Sequence, residues 1–71
     1  MMTTLASMPY PTAKGAALAA HADPGLAAVR LDGLCLVTDR AAAHGLEAEG
    51  AAFAYLCWCP WAARVMTVPV N

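Results

Sequence analysis

The chain contains no isoleucine or glutamine, a single lysine, and only four basic and five acidic side chains among its 71 residues. Its net charge is −1, and the four basic residues form no cluster. Nucleic-acid binders neutralise phosphates with a basic patch, so this charge pattern argues against a nucleic-acid partner. A small domain with almost no net charge has little repulsion between copies, which favours self-association.

The motifs of common catalytic sites are also missing. There is no Gly-rich phosphate loop, Walker motif or nucleophile elbow. His44 lies near Glu47 in the chain, and this spacing is typical of the solvated side of a helix. We therefore expect a protein that is not an enzyme and that holds no cofactor.

Three cysteines are an odd number, which does not suit a disulfide framework of a secreted domain. The apolar run near the N-terminus, residues 15–18, is too short for a secretory signal. Both observations favour reduced thiols and a cytoplasmic location. Residues 51–70 approach the length of a membrane span, but Arg64 and Pro60 interrupt them. A membrane surface is thus a less favoured partner than a protein.

Bulky apolar side chains are scarce. Eighteen of the residues are alanine, whereas the chain has eight leucines, five valines and one phenylalanine. A chain of this length buries only about 60% of the surface that its unfolded form exposes. Small scaffolds of this kind usually need a staple, a metal or a partner, so the composition predicts one marginal domain.

Local signals divide the chain into an arm and a domain. Pro9 and Pro11 block regular pairing, so we interpret residues 1–11 as a flexible arm and residues 12–71 as a single domain. Thr12 is a candidate N-cap for a helix over residues 13–22. Asp32-Gly33 is a preferred type I′ turn, and it predicts a β-hairpin over residues 27–38.

The C-terminal half favours a second helix. Asp39 is a candidate N-cap, and Leu46, Phe53 and Leu56 repeat at helical spacing, so we expect a helix from about residue 40 to 57 that ends before a proline. Residues 64–68 are typical of a third strand, which Pro69 confines to a sheet edge. The expected fold is a small single α+β domain: helix, β-hairpin, helix and edge strand.

Residues 56–61, Leu-Cys-Trp-Cys-Pro-Trp, hold two of the three cysteines and both tryptophans. Thiolates bind soft metals, so Cys57 and Cys59, together with Cys35, are candidate metal or redox residues. On a helix the two thiols of Cys-x-Cys would diverge, whereas in an extended chain they can face the same way. Simple packing of the thiols is the alternative, because unpaired cysteine is among the most buried residue types.

The aromatic composition of this region is typical of a binding surface. Tyr55, Trp58, Trp61 and Met66 match the residue types that dominate interface energetics. We therefore expect an interaction module or accessory subunit that binds a protein partner or forms a homo-oligomer. Three alternatives stay open: a thiol-based soft-metal or redox protein, a precursor peptide modified at its Cys-Trp-Cys-Pro-Trp segment, and a chain with no selected function.

Overall fold

The structure, a computed structural model, describes residues 7–71. Two helices and a five-stranded antiparallel sheet with strand order β1-β3-β2-β4-β5 form an α+β domain. The elements in chain order are β1 (Met8–Tyr10), α1 (Ala13–Ala22), β2 (Leu26–Leu31), β3 (Leu34–Asp39), α2 (Arg40–Ala48), β4 (Phe53–Cys59) and β5 (Arg64–Val70). The α+β class is as predicted, whereas the predicted order of elements lacked β1 and β4.

The first helix and the hairpin are confirmed. Thr12 caps α1, and its side-chain oxygen accepts a hydrogen bond of 3.1 Å from the backbone N–H of Gly15. In the β2–β3 hairpin, Leu31 pairs with Leu34 across the predicted turn. The turn residues Asp32 and Gly33 have φ of +53° and +79°, as a type I′ turn requires. The register follows from this turn.

The predicted flexible arm lies partly outside the described residues, since residues 1–6 are not described. Of its remaining part, Met8–Tyr10 form β1 and pair with β3, with Pro9 opposite Leu36. Our expectation that the prolines block pairing was wrong. β1 lies at the edge of the sheet, where a proline can direct its missing N–H away from the neighbouring strand.

The second helix is much shorter than predicted, because α2 ends at Ala48. Gly50 adopts φ of +82°, and its N–H donates to the carbonyl of Glu47 at 3.0 Å. The N–H of Ala51 donates to the carbonyl of Leu46 at 3.1 Å. These two bonds form a Schellman motif, which satisfies the last carbonyls and stops the helix. At the other end Asp39 occupies the predicted N-cap, although its side chain makes no capping hydrogen bond.

The segment predicted as the second half of that helix is strand β4. Its side chains alternate between two faces, with Phe53 and Leu56 on opposite sides and both buried. The aromatic residues of this segment favour a strand, and the burial of Phe53 on one face and Leu56 on the other accounts for apolar residues on both faces of its first half. The helical spacing of the large residues was therefore misleading.

The predicted third strand is confirmed as β5, which extends to Val70. It pairs along its whole length with β4 and not with the β2–β3 hairpin. Pro60, predicted to end a helix, lies instead in the turn at residues 60–63 between these strands. Neither helix within the described residues 7–71 has the length and apolarity needed to cross a bilayer.

The helices cover opposite faces of the sheet. α1 packs on one face through alanines, and Ala16 and Ala17 are buried against Ala28, Val37 and Leu56. The other face carries a second cluster, in which α2 contributes a buried alanine; its buried members are Ala27, Val29, Ala43 and Phe53. Small side chains at the helix–sheet contacts let a domain with few bulky residues form two thin cores.

Candidate functional site

The β4–β5 hairpin has one face that neither helix covers. Helix α2 packs mainly against β2 and β3, so the α2 side of the hairpin remains open beyond its base. Met66 and Val68 on this side are 46% and 48% exposed. We call this surface the open hairpin face; by alternation along the paired strands it comprises Tyr55, Cys57, Cys59, Arg64, Met66 and Val68.

Tyr55 marks the border between this face and α2. Its hydroxyl donates to a carboxylate oxygen of Glu47 at 3.2 Å. Its ring meets that of Phe53 edge to face, with centroids 5.2 Å apart, a favourable aromatic geometry. Burial raises the pKa of the Tyr55 phenol above its ordinary value of 10.0, and the bond to Glu47 and its negative charge add to this, while Arg40 opposes it. Tyr55 therefore links the base of the hairpin to α2.

The four residues predicted as a binding surface are distributed over three places. Tyr55 and Met66 share the open hairpin face. Trp61 lies in the turn at the hairpin tip and is 95% exposed. Trp58 is on the opposite face, where it packs against the α1 cluster and its ring lies 5.8 Å from Nζ of Lys14. A single surface can thus include at most three of the four residues: Tyr55, Met66 and Trp61 at the tip.

The three cysteines are all unpaired. Cys57 and Cys59 are two residues apart on β4, so both side chains lie on the open hairpin face. Cys35 lies on β3 and packs against the α1 cluster on the other side of the sheet. The structure therefore brings together two of the three predicted metal or redox residues and separates the third. Within residues 7–71, no three His, Cys, Asp or Glu residues are grouped as metal ligands.

A pocket of about 180 Å³ lies where β2 and β4 diverge. The pairing of these strands stops at Ala28 opposite Leu56. Arg40 borders the opening and donates through Nε and Nη2 to the carbonyls of Pro24 and Leu26, at 2.9 and 3.0 Å. Organic ligands usually occupy pockets of about 300–1,000 Å³. The pocket volume is too small for such a ligand, and the guanidinium of Arg40 is already hydrogen-bonded to the neighbouring backbone carbonyls.

The two edges of the sheet differ. The β1 edge is three residues long, contains Pro9 and is followed by Pro11, which makes it a poor template for another strand. The β5 edge is seven residues long, with one proline near its end and one charged residue, Arg64, at its start. Arg64 and Val68 were not predicted from the sequence to be parts of a surface. Their alternation with Val65 and Thr67 indicates a strand on which Arg64 and Val68 share one face. That this face belongs to a surface follows only when β4 is recognised as the neighbouring strand.

The candidate site is therefore an exposed apolar and sulfur-rich strip beside a sheet edge with which no other strand of residues 7–71 pairs. Its residues come from two adjacent strands and the turn between them. Comparison with known proteins adds nothing to this geometry: no protein-family model, curated protein sequence or solved structure matches the chain.

Proposed function

We propose that this chain is a non-enzymatic interaction module that pairs with a second copy of itself through the β5 edge and the open hairpin face. One observation carries the proposal: an unpaired, seven-residue edge strand borders an apolar face on which Met66 and Val68 are about half exposed. Exposed edges of this length and polarity are templates for strand pairing. Antiparallel pairing of β5 with β5 of a second copy supplies the missing neighbour.

A second copy is the favoured occupant because an antiparallel strand pair is self-complementary about a two-fold axis. Pro69 cannot donate a backbone hydrogen bond, so the best pairing runs over residues 64–68. The axis then passes beside Met66, and Arg64 lies opposite Val68 of the second copy. This register extends the sheet to ten strands and joins the two open hairpin faces into one apolar strip.

The charges on β5 and the net charge of the chain are compatible with this pairing. β5 carries no acidic residue, and its single cation, Arg64, lies at one end. In the proposed register the two copies of Arg64 are four residue steps from direct opposition, or about 13 Å along the strand. Repulsion at that separation is largely screened at physiological salt. The net charge of −1 per chain adds little further repulsion.

The same register gives Trp61 a partner. Its position at the hairpin tip leaves the ring 95% exposed, an unusual state for the largest apolar side chain. Continued past Arg64, the antiparallel register directs the tip of one copy toward Pro69 and Val70 of the other. Trp61 would then cover the end of the neighbouring β5, and tryptophan is among the residue types enriched at binding hot spots.

The expected dimer is weak. Burying the remaining exposed half of Met66 or Val68 stabilises by roughly 1 kcal/mol for each side chain. Association must overcome several kcal/mol of lost translational and rotational freedom before any affinity is measured. We therefore expect a dimer whose population rises with protein concentration. A cytoplasmic location is part of this proposal, and the three unpaired thiols support it because such compartments keep thiols reduced.

Light scattering coupled to size-exclusion chromatography tests the proposal over a series of protein concentrations. The wild-type chain is expected to approach twice its 7.3 kDa mass. Met66→Lys places a charge beside the two-fold axis and is expected to give a monomer, and Trp61→Ala a weaker dimer. Leu34→Lys is the matched control, since Leu34 is 58% exposed but lies on β3, which β2 and β4 separate from β5. It is expected to dimerise like the wild type.

A wild-type chain that stays monomeric at high concentration would overturn the proposal. Equal loss of association in Leu34→Lys and Met66→Lys would also overturn it, because the contact would then not be at β5. A different protein recovered on the same face, with the chain itself monomeric, would point to a heterologous partner instead. A shortened chain with a modified Cys-Trp-Cys-Pro-Trp segment, seen by mass spectrometry of cell-derived material, would favour the precursor alternative.

A further inference from the structure

We propose that Cys57, Cys59 and Met66 form a binding site for a monovalent soft metal ion, copper(I). The three sulfur-bearing side chains lie on the open hairpin face, two from β4 and one from β5. This activity is separate from self-association and does not require it. In this site Met66 replaces Cys35, which was the third metal candidate predicted from the sequence, because Cys35 lies on the other side of the sheet.

Strand geometry places the sulfurs within reach of one ion. Met66 is directly opposite Cys57, so their Cβ atoms are about 4.5–5.5 Å apart. Cys57 and Cys59 are two steps apart on the same strand, or about 6.5–7 Å. Each cysteine sulfur extends beyond its Cβ, and the methionine side chain is longer and flexible. All three can therefore turn toward a point above Cys57.

The ligand chemistry selects copper(I). Thiolate and thioether ligands are soft and favour copper(I), whereas imidazole and carboxylate ligands favour other ions. A structural zinc site needs four ligands of the Cys, His or carboxylate type. No three such residues are grouped in the described part of the chain, so one chain cannot complete a zinc site there. Copper(I) accepts two thiolates and a thioether.

Disulfide formation is a poor competitor for the same two thiols. A disulfide needs Cβ atoms about 3.5–4.5 Å apart, which is shorter than the spacing of about 6.5–7 Å along a strand. Because β4 pairs with β5 through both cysteines, closing this distance would break the hairpin ladder. The strand keeps the thiols available to a metal ion while separating them from each other.

Binding has a defined proton and charge balance. One copper(I) ion displaces one proton from each thiol, and both protons pass to solvent, so the oxidation state of sulfur and copper is unchanged. The resulting complex carries one negative charge. Arg64 lies opposite Cys59 on the same face, where its positive charge can offset that of the complex.

The test is anaerobic titration of the reduced chain with copper(I) buffered by bicinchoninate. One equivalent is expected to bind, with thiolate-to-copper charge-transfer absorption in the ultraviolet. Loss of a supporting group near a metal typically weakens binding 10–100-fold, so loss of a direct thiolate in Cys57→Ser or Cys59→Ser should weaken it by at least about 100-fold. Met66→Leu, which lacks only the sulfur, should weaken it by about 10-fold. Cys35→Ser is the matched control and should bind like the wild type.

The titration is made at a protein concentration at which light scattering shows a monomer, so that copper binding is measured apart from self-association. Met66→Leu should bind copper less tightly under these conditions. An unchanged affinity in Met66→Leu would overturn the three-sulfur site, as would a loss in Cys35→Ser equal to that in Cys57→Ser. Copper-dependent dimerisation of an otherwise monomeric chain would show a site shared between chains, which would also overturn the proposal.

Discussion

Alanine substitution of Gly50 and of Gly45 distinguishes the observed end of α2 from a helix that continues through residue 57. The two glycines are five residues apart, and both would be interior positions of the longer helix. In the structure only Gly45 is helical, whereas Gly50 follows the helix with φ of +82°. The same substitution is therefore expected to have opposite effects at the two sites.

At Gly50 the effect is a matter of backbone conformation. A Cβ added there would meet no atom within 4 Å, so crowding by neighbours is absent. An L-residue in the left-handed region costs about 1–2 kcal/mol, and the smaller entropy of the unfolded alanine chain recovers about 0.4–1 kcal/mol of this. Gly50→Ala is expected to lower the free energy of unfolding by about 1 kcal/mol.

At Gly45 the effect is a matter of helix propensity. A Cβ added there also meets nothing within 4 Å, and the residue lies inside α2. Alanine is more favourable than glycine in a helix interior by about 0.8–1 kcal/mol. Gly45→Ala is therefore expected to raise the free energy of unfolding by nearly 1 kcal/mol, which leaves the two variants separated by about 2 kcal/mol.

The assay is thermal and urea unfolding followed by circular dichroism. For a domain of this size 1 kcal/mol shifts Tm by roughly 4–8 °C, so the two variants should lie clearly on either side of the wild type. All three proteins are compared at one concentration, because self-association would add to apparent stability. Stabilisation by both substitutions would refute the Schellman end of α2 and support the longer helix.

Three further predictions concern single groups. Thr38 is 2% exposed, and its hydroxyl has no hydrogen-bond partner in the described residues. Thr38→Val is therefore expected to raise the urea midpoint by an amount equivalent to about 1 kcal/mol. A lowered midpoint would show that the hydroxyl makes a hydrogen bond in the native protein. The pKa of the Tyr55 phenol is raised in the folded state, so its protonated form contributes to the free energy of unfolding. This contribution is complete below the ordinary pKa of 10.0 and is lost as the pH rises through the folded pKa. Urea unfolding across this alkaline range should show a loss of stability that is smaller in Tyr55→Phe and in Glu47→Gln, and equal losses in all three would contradict this assignment. Mild oxidation of the monomer should not form a disulfide between Cys57 and Cys59. Mass spectrometry should therefore show an unchanged mass, and a quantitative loss of two hydrogens would mean that β4 is not a strand at these residues.

The parts of the fold that could be predicted are those that local chemistry decides. Thr12 satisfies a helix N-terminus, and Asp32-Gly33 admits only a tight turn, so α1 and the β2–β3 register followed from a few residues. The prediction that the second helix extends to residue 57 failed because residues 51–59 are all apolar and show no polar face. Such a run fits a buried helix as well as a strand, and the aromatic residues together with Gly50 as a stop signal distinguish the two.

The candidate site could be predicted in composition but not in arrangement. Cys57, Trp61 and Met66 were recognised from residue type, yet their grouping depends on which strand lies beside β4 and where α2 stops. Trp58 was separated from the others by strand alternation, and Cys35 by the sheet itself. Both separations are tertiary consequences of β4 being a strand, which the helical interpretation concealed.

Isotope-filtered NMR on a mixture of labelled and unlabelled chains detects the proposed contact between two β5 strands itself. If two copies pair through β5, the methyl group of Met66 in one chain should show NOEs to Met66 and Val68 methyl groups of the other, with amide protons of residues 64–68 protected from exchange. Intermolecular NOEs that arise only from Leu34 or Trp58, or none at concentrations where the chain is dimeric, would contradict the account.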